Sequence, residues 1–537
     1  MWPSSVKRMI LLFVPFAFLV GSSGASAQES DITQTPNRLG AGIQKSLEEQ
    51  IGGGRGDRFT PGTSRFLIAR DPFRAIARGR QLFQRKFTHA QGLGPRTGDG
   101  VGNIGDGDDP TLFDASHVAG EGDSCALCHG QPPGAAAAGG VVFTRPDKRG
   151  APHLFGLGLQ EMLADEITHD LRAIRKTALA RAERSGMAVR VRLRSKQIDY
   201  GWLTARPDGA VDTSEIVGID PDLRVKPFFA EGSAFSIRQF VVGALNAEMG
   251  LEAPDPDLLA ASRGERVVTP SGMVLDGALD EFDPPPVASP SEDSDDDGVV
   301  DEIDPALVDY LEFYLLNYFK PGRYEPDPTT SRRGRRAFDR AGCPSCHMPD
   351  HRLDNDFRVA DVETRYDPEQ GGFNGLFATA SPRLRTVEDD PALPPLQRPA
   401  KRRFEVSGIF TDFRRHDLGP NFWERNFDGT LQREFMTEPL WGVGTTAPYG
   451  HDGRSINLRE VILRHGGEAQ EARDAFAALP DSRQRQLLEF LASLVLFPPP
   501  DTASNLDPAD PTMPDYPQFG HGSIALAPLF NDPGDRE

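Results

Sequence analysis

All four cysteines of the chain fall in two five-residue units, Cys125-Ala126-Leu127-Cys128-His129 and Cys343-Pro344-Ser345-Cys346-His347. No other feature constrains the fold as much, because no cysteine is left over. Two thiols three residues apart can add to the two vinyl groups of one porphyrin. The histidine that follows then lies on the same side and reaches the iron as proximal ligand. A zinc site would need two more ligands nearby, and a redox Cys-x-x-Cys sits in an α/β setting. Two disulfides would suit four cysteines in an exported chain, but the repeated five-residue unit accounts for every cysteine. The sequence therefore predicts two covalently attached haems c, with His129 and His347 on the irons.

The flanking residues fit this reading. Arg332 to Gly342 predicts a helix that carries Gly334 and Phe338 four residues apart and ends in glycine just before Cys343. Glycine there permits close helix contact, and the phenylalanine packs near the haem edge. Gly79 and Phe83 offer the same pair before the first motif, separated from Cys125 by a Gly/Asp-rich surface excursion, Gly92 to Asp109. Further helices are predicted at Phe235 to Met249, Val308 to Phe319 and Asp481 to Phe497. In the last, Leu487, Leu488, Leu491, Leu494 and Val495 share one face. Only Val189 to Leu193 alternates as a strand would. The expected fold class is mainly α: two cytochrome c-like haem domains with long loops.

At 537 residues the chain is too long for one ordinary core. The expected order is a signal peptide at 1–27, a loosely ordered lead-in at 28–60 and an N-terminal haem domain at 61–270. A Pro-rich linker and acidic loop follow at 271–304, then a C-terminal cytochrome c domain at 305–500 and a disordered tail at 501–537. The signal reading rests on Lys7 and Arg8, the apolar run Met9 to Val20, and Ala25-Ser26-Ala27. That run is well short of the roughly 20 residues a spanning helix needs. The mature protein is expected to be soluble and periplasmic, with no membrane span. Removing Lys7 and Arg8, and no acid, moves the formal charge from -20 to -22. Such a charge disfavours nucleic acid, whose phosphates require a basic patch, and permits docking to a small basic redox protein.

Between the haem units, Asp293-Ser294-Asp295-Asp296-Asp297-Gly298-Val299-Val300-Asp301-Glu302-Ile303-Asp304 places acids at positions 1, 3, 5, 9 and 12 and glycine at 6. That is the spacing of a calcium loop, in which alternate oxygens converge and glycine permits the sharp turn. Asp293, Asp295, Asp297, Asp301 and Asp304 are the candidate Ca2+ ligands. A solvated acidic linker is the alternative.

The stretch Pro439-Leu440-Trp441-Gly442-Val443-Gly444 through Ala447-Pro448-Tyr449-Gly450-His451-Asp452-Gly453-Arg454 and on to His465-Gly466-Gly467 is distinctive. It resembles the bacterial di-haem cytochrome c peroxidase superfamily, and most of all its branch of di-haem oxidoreductases, sometimes labelled thiol oxidoreductases. Ala151-Pro152-His153-Leu154-Phe155-Gly156, His416-Asp417-Leu418-Gly419-Pro420 and Gly243-Ala244-Leu245-Asn246-Ala247-Glu248-Met249 are similar to that branch too. The resemblance covers about residues 75–500 and is looser in the N-terminal half. It implies that electrons enter at the C-terminal haem and reach a reactive N-terminal haem.

In the family the second iron ligand comes 14 residues after the histidine of the aromatic-x-His-x-Gly motif. Counting from His451 gives His465. The resemblance therefore implies His347/His465 ligation where the family's peroxidases have methionine, which should lower the potential. It also implies that Glu248 is the catalytic acid–base, because peroxide heterolysis needs a group to move a proton between the two oxygens. His153 or His169 could instead cap the first iron. Trp441 and Trp202 are candidate electron relays, though packing explains both. His451, Arg454 and His416 are candidate propionate partners.

The implied partners are a small redox protein or quinol-linked donor and peroxide or another small oxidant, with a homodimer by analogy. The competing functions are an electron-transfer cytochrome without catalysis and a haem-dependent oxygenase of the same superfamily.

Overall fold

The computed structural model describes residues 46–94, 122–129, 141–142, 149–295, 297–318, 321–323, 325, 327–358, 403–426 and 428–496. The signal peptide, the excursion from 95 and the tail from 501 lie outside the described residues.

The first core is built around one helix. Pro305–Asn317 has Asp304 as its N-cap, accepting the Ala306 N–H at 2.7 Å, and proline at its first position. Every residue from Ala306 to Asn317 is buried, so this helix is enclosed on all sides. Pro72–Gln84, capped by Asp71, crosses it so closely that a methyl on Gly79 would collide with the Tyr310 carbonyl. Ile237–Met249 and the first half of the long helix Leu157–Ser185 close the remaining sides. The sequence placed residues 308–319 with the second haem unit. Those within Pro305–Asn317 pack in the first core, with Pro72–Gln84 and Ile237–Met249 as partners. The predicted lead-in is also partly ordered. Ser46 and Glu49 form a capping box for Leu47–Ile51, and Gln50 is fully buried.

The second core repeats the device on a smaller scale. Pro328–Arg340 packs on Asp481–Ala492, and a methyl on Gly334 would strike the Gln486 carbonyl. Phe338, Phe410 and Phe490 form a triad with centroids 5.5–5.8 Å apart and edge-to-face geometry. Leu487, Leu491 and Leu494 of the predicted stripe are in this core, Leu488 lies at its margin, and Val495 is buried as well. The two halves interlock, since Trp441 and Leu496 from the second half lie in the first core.

The expectation of a mainly α fold needs correction: the described residues mix helices with several small sheets. Val189–Ser195 does pair, with Ile198–Ala205, in a three-stranded sheet completed by Val211–Asp212. The other sheets are two-stranded ladders of short strands, such as Asp350–Leu353 with Phe404–Ser407 and Arg415–Asp417 with Glu434–Met436. Strands of two to four residues carry too few positions to show alternation. No helix among the described residues is long and apolar enough to cross a membrane.

Candidate functional site

Both Cys-x-x-Cys-His units open onto one cavity of about 830 Å³. It is lined by Cys125, Cys128 and His129 from the first unit and by Cys343, Cys346 and His347 from the second. Each unit is a single tight turn, the second directly following the helix Pro328–Arg340. Cys125–Cys128 is one helical turn, and Cys343–Ser345 is a 3-10 turn entered through Gly342 at φ +84°. Phe83 lies 6.2 Å from the His129 ring and Phe338 lies 6.5 Å from His347, so the two halves present the same side-chain pairing.

None of the four cysteines is in a disulfide. Burial pushes Cys125 and Cys343 up to about 12, which keeps them as neutral thiols. Among the described residues no metal-ligand grouping contains both cysteines of a unit. Three imidazoles share one arrangement. His129 Nδ1 is 2.7 Å from the Pro152 carbonyl, His347 Nδ1 is 3.1 Å from that of Phe410, and His465 Nδ1 is 2.7 Å from that of Val461. Burial lowers all three pKa values, His129 and His347 to about 4, so the rings are neutral. A carbonyl can only accept, so each Nδ1 must carry the proton. Each Nε2 lone pair is then free for a metal. His465 is the C-cap of Leu458–Arg464, and it is close enough to His347 to depress it electrostatically.

His153 also lines the cavity, and its neighbour His129 acts on it electrostatically. Both of its nitrogens are engaged, however. Nδ1 accepts the Phe155 N–H at 3.3 Å, and Nε2 donates to the Trp441 carbonyl at 3.0 Å. His169 is exposed on Leu157–Ser185 and lies outside the cavity lining. Glu248 lines the cavity from the last turn of Ile237–Met249, while its neighbour Met249 is in the core.

Trp441 lines the cavity with a buried Nε1 that has no acceptor among the described residues. Trp202 is instead on the hairpin, under Arg190 at 4.0 Å, and away from the cavity. His451 stacks on Phe435 at 4.0 Å. Arg454 is over half exposed and outside the cavity lining. His416 is clamped between Asp412 at 2.9 Å and Glu468 at 2.8 Å. Burial disfavours its charge, but the hydrogen bonds to Asp412 and Cys346 outweigh that and raise it to about 11.

Sequence reading missed several groups. The carbonyls of Pro152, Phe410 and Val461 have no side-chain signature. Arg149 bonds Glu424 and Glu231 in the cavity wall, from segments far apart in the chain. Tyr314 and Tyr318 meet as a tilted ring pair with centroids 5.0 Å apart, and aromatic richness in that helix was the available signal.

The acidic loop lies apart from this cavity. Asp293, Asp295 and Asp297 converge, but Asp301 is exposed and Asp304 serves as a helix cap. Asp295 also groups with Glu252 and Glu302, which the linear spacing did not select. Burial pushes the Asp295 carboxyl up to about 7 and the Glu302 carboxyl up to about 8.

Residues 403–494 match the family described as "Di-haem oxidoreductase, putative peroxidase". The matched stretch carries His416, Trp441, His451 and His465 and the closing helix of the second core. At this coarse level the match supports a di-haem oxidoreductase of peroxidase type. No curated protein matches the chain.

Proposed function

We propose that the chain is an exported di-haem c-type cytochrome oxidoreductase of peroxidase type, with two cytochrome c-like haem domains. In this reading electrons enter at the second unit and chemistry takes place at the first. The observation that carries it is the single cavity shared by both Cys-x-x-Cys-His units, in which three histidines are held with Nε2 unprotonated.

The residues suit the group. Neutral thiols in each unit can form thioethers, the proximal imidazoles are oriented by carbonyls, and the buried Trp441 N–H offers a donor to a carboxylate at the porphyrin edge. Cys125, Cys128 and His129 would hold one haem c, and Cys343, Cys346, His347 and His465 the other. Bound haem supplies one-electron transfer and, at an iron with an open position, reaction with peroxide.

The chain's own residues account for the asymmetry. His465 has an Nε2 available beside His347, so the second site would have two protein ligands. His153 is held by two backbone bonds, so the first site would keep one. Glu248 in the wall of the first site would take the proton from the inner peroxide oxygen and deliver it to the leaving one. Its helix holds the carboxylate against the cavity while Met249 anchors the turn.

The purified full chain should contain two haems c by pyridine haemochrome, and the C125S/C128S variant one. The ferric spectrum should combine a low-spin bis-histidine component with a high-spin component that disappears in C125S/C128S. Glu248→Gln should keep the high-spin signal and lower peroxide turnover by roughly 10²–10⁴-fold. A wholly low-spin ferric spectrum, before and after partial reduction, with no peroxide consumption would replace this reading by a pure electron carrier.

A further inference from the structure

The acidic loop folds back on the end of the helix that carries Glu248. Gly298 makes the turn at φ +85°, and its N–H donates to Asp293 at 3.0 Å. The Asp297 N–H donates to the same carboxylate at 3.1 Å. Asp293, Asp295 and Asp297 can each bring one carboxylate oxygen within 4.8 Å of the others, and Asp295 does the same with Glu252 and Glu302. The backbone bonds orient these carboxylates without satisfying them. Asp297 Oδ2 and Glu302 Oε1 are buried with no hydrogen-bond donor, on residues 3% and 4% exposed. None of the five carboxylates forms an ion pair with a Lys or Arg among the described residues. Buried acceptor oxygens without a donor or cation are strongly unfavourable.

We propose that Glu252, Asp293, Asp295, Asp297 and Glu302 form a Ca2+ site that clamps the acidic loop to the C-terminal end of Ile237–Met249. All the ligands are hard oxygens, which excludes a preference for zinc or copper. Ca2+ accepts many carboxylates in flexible geometry, whereas Mg2+ keeps several waters and one or two carboxylates. The set departs from the linear twelve-residue spacing, because Glu252 and Glu302 replace Asp301 and Asp304.

Glu252 makes the clamp a link between segments. Its N–H donates to Glu302 Oε2 at 2.6 Å, and its carboxylate accepts the Ser294 N–H at 3.0 Å. One residue earlier, the Leu251 N–H caps the helix on Leu245 at 2.9 Å. Gly94 and Gly122 donate to the carbonyls of Met249 and Glu248. The ion therefore holds together the loop, the end of the Glu248 helix and the approach to Cys125. The site stands whether or not the first unit binds haem.

The full-length holoprotein, stripped with EDTA and dialysed, is titrated with Ca2+ and in parallel with Mg2+ by calorimetry. One Ca2+ per chain is expected, with Mg2+ at least roughly tenfold weaker. Hydrogen exchange should slow together at residues 250–252 and 293–302. Asp301→Asn should bind as the parent does, while D295N/E302Q should lose affinity by about tenfold or more. Should that double variant fail to fold, Glu252→Gln makes the same comparison, and the parent titration decides alone. No Ca2+ uptake by the parent, undiminished uptake by D295N/E302Q, or loss in Asp301→Asn would each overturn the proposal.

Discussion

Glu312 shows how one side chain can set a pH response. It is 1% exposed, with Oε2 on Arg238 at 2.8 Å and Oε1 accepting the Thr269 hydroxyl at 2.9 Å. Burial raises its carboxyl to about 7, against the opposing pull of Arg238. A carboxyl with a raised folded-state pKa holds its proton longer in the folded chain than in the unfolded one. The stability it contributes is present below the unfolded value of 4.5 and is lost as pH rises through about 7. Glu312 therefore makes a negative contribution to the slope of denaturant midpoint against pH across that window. In Glu312→Gln that contribution of one proton should be lost, and an unchanged slope would remove Glu312 from the account. The same scale separates two candidate ligands: His465 and His153 differ in whether the second ring nitrogen is engaged, not in residue type.

At the scale of elements, each half is set by a glycine on a crossing helix. An ordinary Gly→Ala change inside a helix stabilises by about 1 kcal/mol. At Gly334 the added methyl meets the Gln486 carbonyl and the Phe490 Cβ, so the sign should reverse. Gly334→Ala is expected to destabilise by about 1–3 kcal/mol in chemical denaturation, because the helices Pro328–Arg340 and Asp481–Ala492 must separate. Stabilisation would show that this crossing is loose. The helices of both crossings were legible in the sequence through their caps, periodicity and Gly-x-x-x-Phe spacing. The short ladders were not, since their pairing partners are separated by long loops and each strand shows only two to four residues.

Across the whole molecule, Arg238 ties the first core together. It is fully buried, donating to Asp255 at 2.9 Å, Asp309 at 2.9 Å and Glu312 at 2.8 Å. Arg55 and Ser64 reach the same Asp309. Replacing Arg238 with methionine leaves three carboxylates buried without this cation and should cost about 3–5 kcal/mol in denaturant unfolding. A loss below about 1 kcal/mol, typical of exposed pairs, would mean that water reaches the cluster. The network joins residues 55, 238, 255 and 309, and nothing in their local sequence announces the contact. The acidic loop makes the same point. Its spacing proposed five aspartates, and the fold brings three of them together and one of those, Asp295, to Glu252 and Glu302.

The two Cys-x-x-Cys-His units behind the proposed cofactor are legible in the sequence by itself. Adjacent thiols and histidine must be neighbours in the chain to meet one porphyrin, so the two units can be read without a fold. Helix caps and the Gly-x-x-x-Phe pairs are local for the same reason. Only the tertiary structure decided that both units face one cavity, that residues 305–317 belong to the first core, and which histidine nitrogens are free. Those outcomes depend on backbone carbonyls and carboxylates brought together from distant segments, and such contacts leave no spacing in the chain to read.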